Sequence, residues 1–519
     1  MNIQKNGQGV NHEEIFSSSD LRKTFADVMA LNIESSIPSE IIKFFKMFPG
    51  QTLLIKGKPG TGKTILSFGI LKEICEKRNG LYLSMRVTPE KLYNLFPWIK
   101  EVVPERNVVN ATPKKLNEVL ESLNYFPGQP FDFDAALNFF KMLYENAEDM
   151  DNPVVVIDSW DALLGYLNLQ ENSVSFTQSI CDFCHDVGTH LILISETDGP
   201  TDLDYIVDGV VTLLDTNVRG EAMDGQPYLE HSKSRTLREI RIDKLRGVKR
   251  KRRSYVFTLN NGQFRHFPPY DKMQIAEIEP LPDIDETHRS SGIKDFDEIT
   301  GGLEKGGLTL FVVEHGVGLR YVPFLDQIAI NLALKGIGVA RLRSVGSALP
   351  EDYELTKRYK EIYFYKPESW ATWQLEKLFP SAKEYRKFLE TIRKDKSDLM
   401  EFSLMEARKE YHNFLQDLRR KHSMIVEFLG LDTFEILYGT ENTLKLLDEA
   451  IARASENNEI LIAVAKRGMK SIEMITQLAA ACFVFKDIVG SLFIYGEQPR
   501  TGLYNISSDE KGIHLTPVI

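Results

Sequence analysis

Gly57-Lys58-Pro59-Gly60-Thr61-Gly62-Lys63-Thr64, set directly behind the apolar run Thr52-Leu53-Leu54-Ile55, decides how the rest of this chain is read. The segment fills every fixed position of a phosphate-binding loop, with a strand-like run before it and the helix-like Ile65-Leu66-Ser67-Phe68-Gly69-Ile70-Leu71 after it. A triphosphate's charge has to be matched at close range by backbone N–H groups carrying little side-chain bulk, and three glycines supply that clearance. Lys63 is placed to reach the β- and γ-phosphates as a point charge, and Thr64 to set its hydroxyl on Mg²⁺, while the helix N-terminus faces the anion. Binding of ATP with Mg²⁺ is the first functional expectation. Gly57, Lys58, Pro59, Gly60, Thr61, Gly62, Lys63 and Thr64 form the binding set.

Outward from the loop, short β-branched runs alternate with longer helix-like stretches, the pattern of a mostly parallel sheet covered by helices. Strands are predicted at Thr52–Lys56, Leu81–Ser84, Val154–Ile157, Leu191–Ser195 and Gly209–Leu214. A hairpin follows from Arg238–Lys244 and Ser254–Leu259, with Asn260-Asn261-Gly262 as its turn. Pro268-Pro269 and Glu279-Pro280-Leu281-Pro282-Asp283 then mark a linker. The reading is an extension over 1–30, a first domain over 31–275, a linker over 276–290 and a second domain over 291–519.

The second domain begins again with Ser291-Gly292-Ile293, Gly301-Gly302-Leu303, the apolar strand Leu308–Val313, the turn Gly316-Val317-Gly318 and a helix-like Pro323–Leu334. That order repeats the first half, so the chain reads as an internal duplication. Laid ungapped on the first loop, Glu314, Arg320 and Tyr321 stand where Gly57, Lys63 and Thr64 stood. A shift of one residue aligns the glycines and puts Leu319 and Arg320 at the Lys and Thr positions. Neither register rebuilds a phosphate loop, and the second copy is expected to bind ATP weakly or not at all. A charged, helix-rich stretch at about 350–422, with Glu406-Ala407-Arg408-Lys409-Glu410 and Asp417-Leu418-Arg419-Arg420-Lys421, reads as a solvated helical insertion or a partner-docking arm.

The 519 residues allow two, or three, domains with substantial cores. With no apolar run near the roughly 20 residues a membrane helix needs, and the polar start Met1-Asn2-Ile3-Gln4-Lys5-Asn6, the expectation is a cytoplasmic protein without a membrane partner. A formal charge of −11 argues against wholesale coating of nucleic acid. Four cysteines form no disulfide framework. Cys181-Asp182-Phe183-Cys184-His185 spells a haem-attachment pattern, but in a helix between two strands it is read as coincidence, and zinc lacks a second ligand pair.

Pro153-Val154-Val155-Val156-Ile157-Asp158-Ser159 is a buried strand ending in an acid, and a carboxylate at the C-terminal edge of the sheet is where Mg²⁺ needs an oxygen. Asp158 is therefore the metal-side acid beside Thr64. Taken with Gly57–Thr64, the segments Ile157-Asp158-Ser159, Tyr205-Ile206-Val207-Asp208-Gly209-Val210 and Lys244-Leu245-Arg246-Gly247 resemble the KaiC branch of RecA-like ATPases and their archaeal GvpD-type relatives. The resemblance implies an α/β fold: two tandem RecA-like P-loop domains with mostly parallel sheets flanked by helices, the second degenerate and carrying the helical insertion. It adds Ser159 to the nucleotide-binding set and implies a homo-oligomer, a hexameric ring, with the nucleotide between subunits. Lys244 and Arg246 match the basic pair that reaches a neighbour's phosphates, where such cations stabilise charge on the transferring phosphoryl group. Two exposed strand cations are the plainer alternative.

Departures from the family pattern bear on catalysis. After the second strand such ATPases carry a glutamate pair that orients the attacking water, whereas this chain reads Ser84-Met85-Arg86-Val87-Thr88-Pro89-Glu90, with Arg86 and Val87 at the pair. Arginine accepts no proton near neutral pH and valine has no polar atom. Glu196, at the end of the Leu191–Ser195 strand, is left to orient water or sense the γ-phosphate, and hydrolysis is expected to be slow. In the second half, Asp432 echoes the metal-side acid without a matching lysine and reads as a structural relic; no autokinase activity is expected. The basic run Lys249-Arg250-Lys251-Arg252-Arg253 reads as an exposed or interface loop, with nucleic acid the less favoured partner. The leading reading is a regulatory, nucleotide-switched ATPase acting on a client protein; a recombinase-like accessory protein and an ATP-holding scaffold are the alternatives.

Overall fold

The computed structural model describes residues 35–75, 79–112, 150, 153–167, 169, 172–218, 235–270, 278–344, 355–365 and 397–519, with backbone alone at 217–218, 397–403 and 406. The extension expected over 1–30 lies outside these residues, as do 350–354 and 366–396 of the expected insertion. Two compact units divide the chain. One takes in residues through Thr212 with Ile242–Arg253 and Gly262–His266; the other takes in Leu213–Arg241, Ser254–Asn261 and Phe267–Ile519.

The first sheet contains β1 (Thr52–Gly57), β2 (Gly80–Ser84), β3 (Val108–Asn110), β4 (Val154–Asp158), β5 (His190–Ser195), β6 (Gly209–Val218), β7 (Arg235–Leu245), β8 (Ser254–Thr258) and β9 (Arg265–His266), in the order β3-β2-β4-β5-β1-β6-β7-β8-β9. β3, β2, β4, β5 and β1 pair parallel in that order, and β7 and β8 pair antiparallel. The β7–β8 connection holds the basic run, while Asn260–Gly262, with Asn261 at φ 57°, carries the chain from β8 toward β9. Every residue of β1 is buried, as a parallel strand covered on both faces requires. Alternation along the strands then sorts the faces: Leu54, Leu83, Ile157 and Leu193 pack with Trp160, Leu163, Phe176 and Ile180. Phe68 stacks on Tyr82 with ring centroids 4.2 Å apart.

A two-stranded ribbon of β10 (His288–Arg289) and β11 (Leu303–Glu304) precedes the second large sheet. That sheet contains β12 (Leu308–Val313), β13 (Gly338–Leu342), β14 (Ile362–Phe364), β15 (Ile425–Gly430), β16 (Ile460–Lys466), β17 (Ala481–Ile488), β18 (Ser491–Gln498), β19 (Tyr504–Asp509) and β20 (Gly512–Pro517). Its order, β14-β13-β15-β16-β12-β17-β18-β19-β20, repeats the first sheet strand for strand. The molecule is thus α/β, two tandem RecA-like domains with mostly parallel sheets flanked by helices. Phe311, Phe428, Ile462 and Phe485 pack under the helix Val322–Leu334, while Leu310, Leu429, Ala463 and Val484 share the opposite core with Leu447 and Ala450 of the helix Leu431–Asn457. The charged stretch before β15 contains the edge strand β14 as well as the helix Ser397–Lys421.

His190 opens β5 in a buried position, accepting the Gln51 N–H on Nδ1 at 3.1 Å with its ring edge-on to Phe45. Burial pulls its pKa down to about 4. The unfolded chain takes up this proton near the ordinary histidine value of about 6.5, so the stabilising contribution is complete above that pH and is lost as pH falls toward 4. Between pH 7 and pH 4 it amounts to about 3 kcal/mol at most. Chemical denaturation of His190→Gln, which keeps an acceptor for Gln51, should show a shallower loss of stability with falling pH than the unsubstituted protein over that range.

Candidate nucleotide site

The loop between β1 and the helix Lys63–Ile74 turns through Gly60 at φ 83° and Gly62 at φ 97°, left-handed conformations that a side chain would strain. Nothing lies within 4 Å of where a Cβ on Gly60 would stand, so that residue is chosen for its backbone and not for crowding. Thr61 closes the turn on the Lys58 carbonyl through its N–H at 3.3 Å and its hydroxyl at 2.8 Å. Pro59 lies between them. The Lys58 side chain is exposed, 3.6 Å from Asp198. The Lys63 ammonium folds under the loop and donates to the carbonyls of Gly57 at 2.6 Å and Lys58 at 2.9 Å. Burial pulls its pKa below the ordinary lysine value, against the opposing pull of Glu196, Asp158 and Asp161, while Arg86 adds to the fall.

Sheet order brings the acids to the loop. β4 lies between β2 and β5, with Asp158 opposite Ser84 on one side and Ile194 on the other. One Asp158 oxygen, Oδ2, accepts from Thr64 Oγ1 at 2.6 Å and from the Tyr82 hydroxyl at 2.5 Å. Burial, reinforced by the charge of Asp158, pushes the Tyr82 phenol well above its usual pKa, so it serves here as a donor. The Ser159 side chain accepts from the Ala162 N–H at 3.4 Å and caps the helix Trp160–Tyr166. Glu196 follows β5, its N–H donating to Asp161 Oδ2 at 2.6 Å and its carboxylate paired with Arg86 at 2.7 Å.

Lys63, Thr64, Asp158 and Glu196 are therefore gathered at one end of the sheet, joined by Asp161, Tyr82 and the Arg86–Glu196 pair. Asp161 stands three residues past Asp158, and Tyr82 two before Ser84, but neither position announces its role without the strand order. Thr64 and Asp158 offer a hydroxyl and a carboxylate oxygen in contact, a donor set suited to Mg²⁺. Among the described residues no cluster of three or more His, Cys, Asp or Glu could hold a metal by itself, so an ion here would draw its remaining oxygens from nucleotide and water.

The basic pair lies at the end of β7. Lys244 donates to the carbonyls of Asp204 at 3.0 Å, Tyr205 at 3.3 Å and Val207 at 2.6 Å, capping the short helix Leu203–Ile206. The same helix is held from the loop side by Lys56, whose ammonium is 2.6 Å from Asp204. Arg246 meets Asp208 at 2.6 Å with 64% of its side chain exposed, and Asp208 in turn accepts from the Thr52 hydroxyl at 2.9 Å. In the basic run, Arg250 donates to the carbonyls of Ile242 and Asp243, and the Lys251 N–H to Glu40 at 3.1 Å. Cys181 and Cys184 are buried in the helix Ser173–Asp186, and burial pushes each thiol up to about 12.

The ends of the strands set how the two loops correspond. β1 ends at Gly57 and β12 at Val313, as β4 ends at Asp158 and β15 at Gly430. Val313 thus takes the place of Gly57, which aligns Gly316 and Gly318 with Gly60 and Gly62 and leaves Leu319 at the lysine position. Arg320, at the threonine position, is tied to Asp487 and to the Gly316 and Gly490 carbonyls. Asp432 lies two residues beyond Gly430, accepting from Ser344 and paired with Lys466 at 2.8 Å.

Comparison with known proteins falls on the same segment. Residues 41–226 match the model of the GvpD gas vesicle protein, P-loop domain. Protein GvpD2 of Halobacterium salinarum is 32% identical over 291 residues, covering 52% of this chain and 54% of that one. Protein GvpD1 of the same organism is 28% identical over 282 residues, covering 52% and 49%. The chain spans about half the length of the curated relatives it matches. The phosphate loop and Asp158 both fall inside the matched segment, so the first of the two tandem RecA-like domains carries a P-loop domain similar to that of the GvpD gas vesicle protein.

Proposed function

We propose that the protein binds ATP with Mg²⁺ in its first domain and acts as a slowly hydrolysing, nucleotide-dependent regulatory switch. The observation that carries this reading is one constellation: a complete phosphate loop, Thr64 on Asp158, and a Glu196 carboxylate held by Arg86 where the family pattern would supply a free glutamate pair. Lys63 and the loop N–H groups would cradle the phosphates, and Thr64 and Asp158 would hold the ion. When bound, Mg²⁺ would supply charge neutralisation on the phosphate oxygens. Glu196, just past the end of β5, is the carboxylate we assign to orient a water, and its ion pair with Arg86 occupies it. Slow turnover follows from that pairing.

The switch acts as a KaiC-like oligomer in the cytoplasm. ATP biases such an assembly only through a difference in affinity between two states, and the exposed Arg246 is the cation on which a neighbour's nucleotide would depend. Its tie to Asp208 lies at the surface, where exchange for a phosphate partner costs little. Among the described residues no helix is long and apolar enough to cross a membrane. The family description names a gas vesicle protein, and we place the client protein in that system.

Lys63→Ala should weaken binding of a fluorescent ATP analogue by about 100-fold or more and remove ATP-dependent assembly, measured by light scattering. Assembly with bound nucleotide in that variant would end the reading. Phosphate release should fall about 10-fold or more in Glu196→Gln with nucleotide affinity unchanged, and rise several-fold in Arg86→Ala. An unaltered rate in Glu196→Gln would move the base elsewhere. Arg246→Ala should cut the rate of the assembled protein by about 10-fold or more while leaving dilute protein unaffected.

A further inference from the structure

The helices Ser397–Lys421 and Leu431–Asn457 enclose, against the end of β15, a cavity of about 300 Å³. We propose that it is a binding site for a small carboxylate with an aromatic or branched apolar body, on the order of 10 to 15 non-hydrogen atoms. The proposal is independent of the nucleotide site.

The cavity's apolar wall comes from Leu429, Leu431, Phe434, Leu447 and Ala450. Tyr365 and Tyr411 line it as an edge-to-face pair with ring centroids 4.9 Å apart. A flat or branched hydrocarbon body finds dispersion partners on these surfaces, whereas a bare inorganic anion would leave them unused.

Two arginines line the same space. Arg408 donates through one terminal nitrogen to Glu449, and Arg453 through one terminal nitrogen to Glu427 at 3.2 Å. The second terminal nitrogen of each guanidinium makes no hydrogen bond within the described residues, and two such donors beside one apolar cavity are suited to an added acceptor. Three cationic side chains, Arg408, Lys409 and Arg453, line the cavity, with Arg408 paired to Glu449 and Arg453 to Glu427. A carboxylate answers guanidinium N–H groups with charge-assisted bonds, which a neutral alcohol of the same shape cannot match.

Calorimetric titration of the full chain with 1-naphthoate and with its neutral counterpart 1-naphthalenemethanol tests the site. Saturable 1:1 binding of naphthoate is expected, about 10-fold or more tighter than the alcohol. Arg408→Met should erase most of that preference, leaving Glu449, whose side chain is 51% exposed, solvated. Ala450→Phe, which fills the cavity, should abolish binding, and Lys63→Ala should leave it intact. Equal affinity for acid and alcohol, unchanged binding in Ala450→Phe, loss in Lys63→Ala, or no saturable binding of naphthoate would each overturn the proposal. Should Arg408→Met fail to fold, the acid–alcohol comparison on the unsubstituted protein decides the matter alone.

Discussion

Keeping a lysine ammonium charged beneath a backbone loop is the constraint around which the first domain is arranged. Lys63 is desolvated at the start of its helix, and burial alone would drive it toward the neutral amine. Two loop carbonyls and three nearby carboxylates hold the charge in place, and all three carboxylates lie at or just beyond the C-terminal ends of β4 and β5. The requirement reaches into the sheet: those strands must flank one another with their acids at the same edge, and the strand order does this.

The second domain has the same scaffold without that constraint. Its strands follow the same order, yet the lysine position is Leu319, and the charges at its edge satisfy each other: Arg320 with Asp487, Lys466 with Asp432, Lys486 with Glu314. Self-paired charge in a half-buried setting serves architecture and leaves little field for an added anion. The two halves of the duplication thus differ in how charges are matched at one sheet edge, with the folds themselves alike.

Much of this was legible in the chain because the signals are local. Glycine spacing, the apolar runs of β1, β4 and β5 and the terminal Asp158 each sit within a few consecutive residues, and the strands fall where alternation and β-branched content place them. Other features required the third dimension. Arg86 and Glu196 follow β2 and β5, strands separated by β4, so their pairing follows from sheet order and not from chain order. Tyr82 reaches Asp158 for the same reason. The correspondence of the two loops, left open between two registers by sequence, follows from where the strands end. Lys244 illustrates a further limit, since its partners are main-chain carbonyls and carry no residue signature.

The short helix Leu203–Ile206 sits between two ammonium groups. Lys56, the residue immediately before Gly57, grips it through Asp204, and Lys244 grips it through carbonyls at its far end, two positions from the solvent-facing Arg246. One turn of helix is thereby pinned to two strands at once, to β1 through Lys56 and to β7 through Lys244.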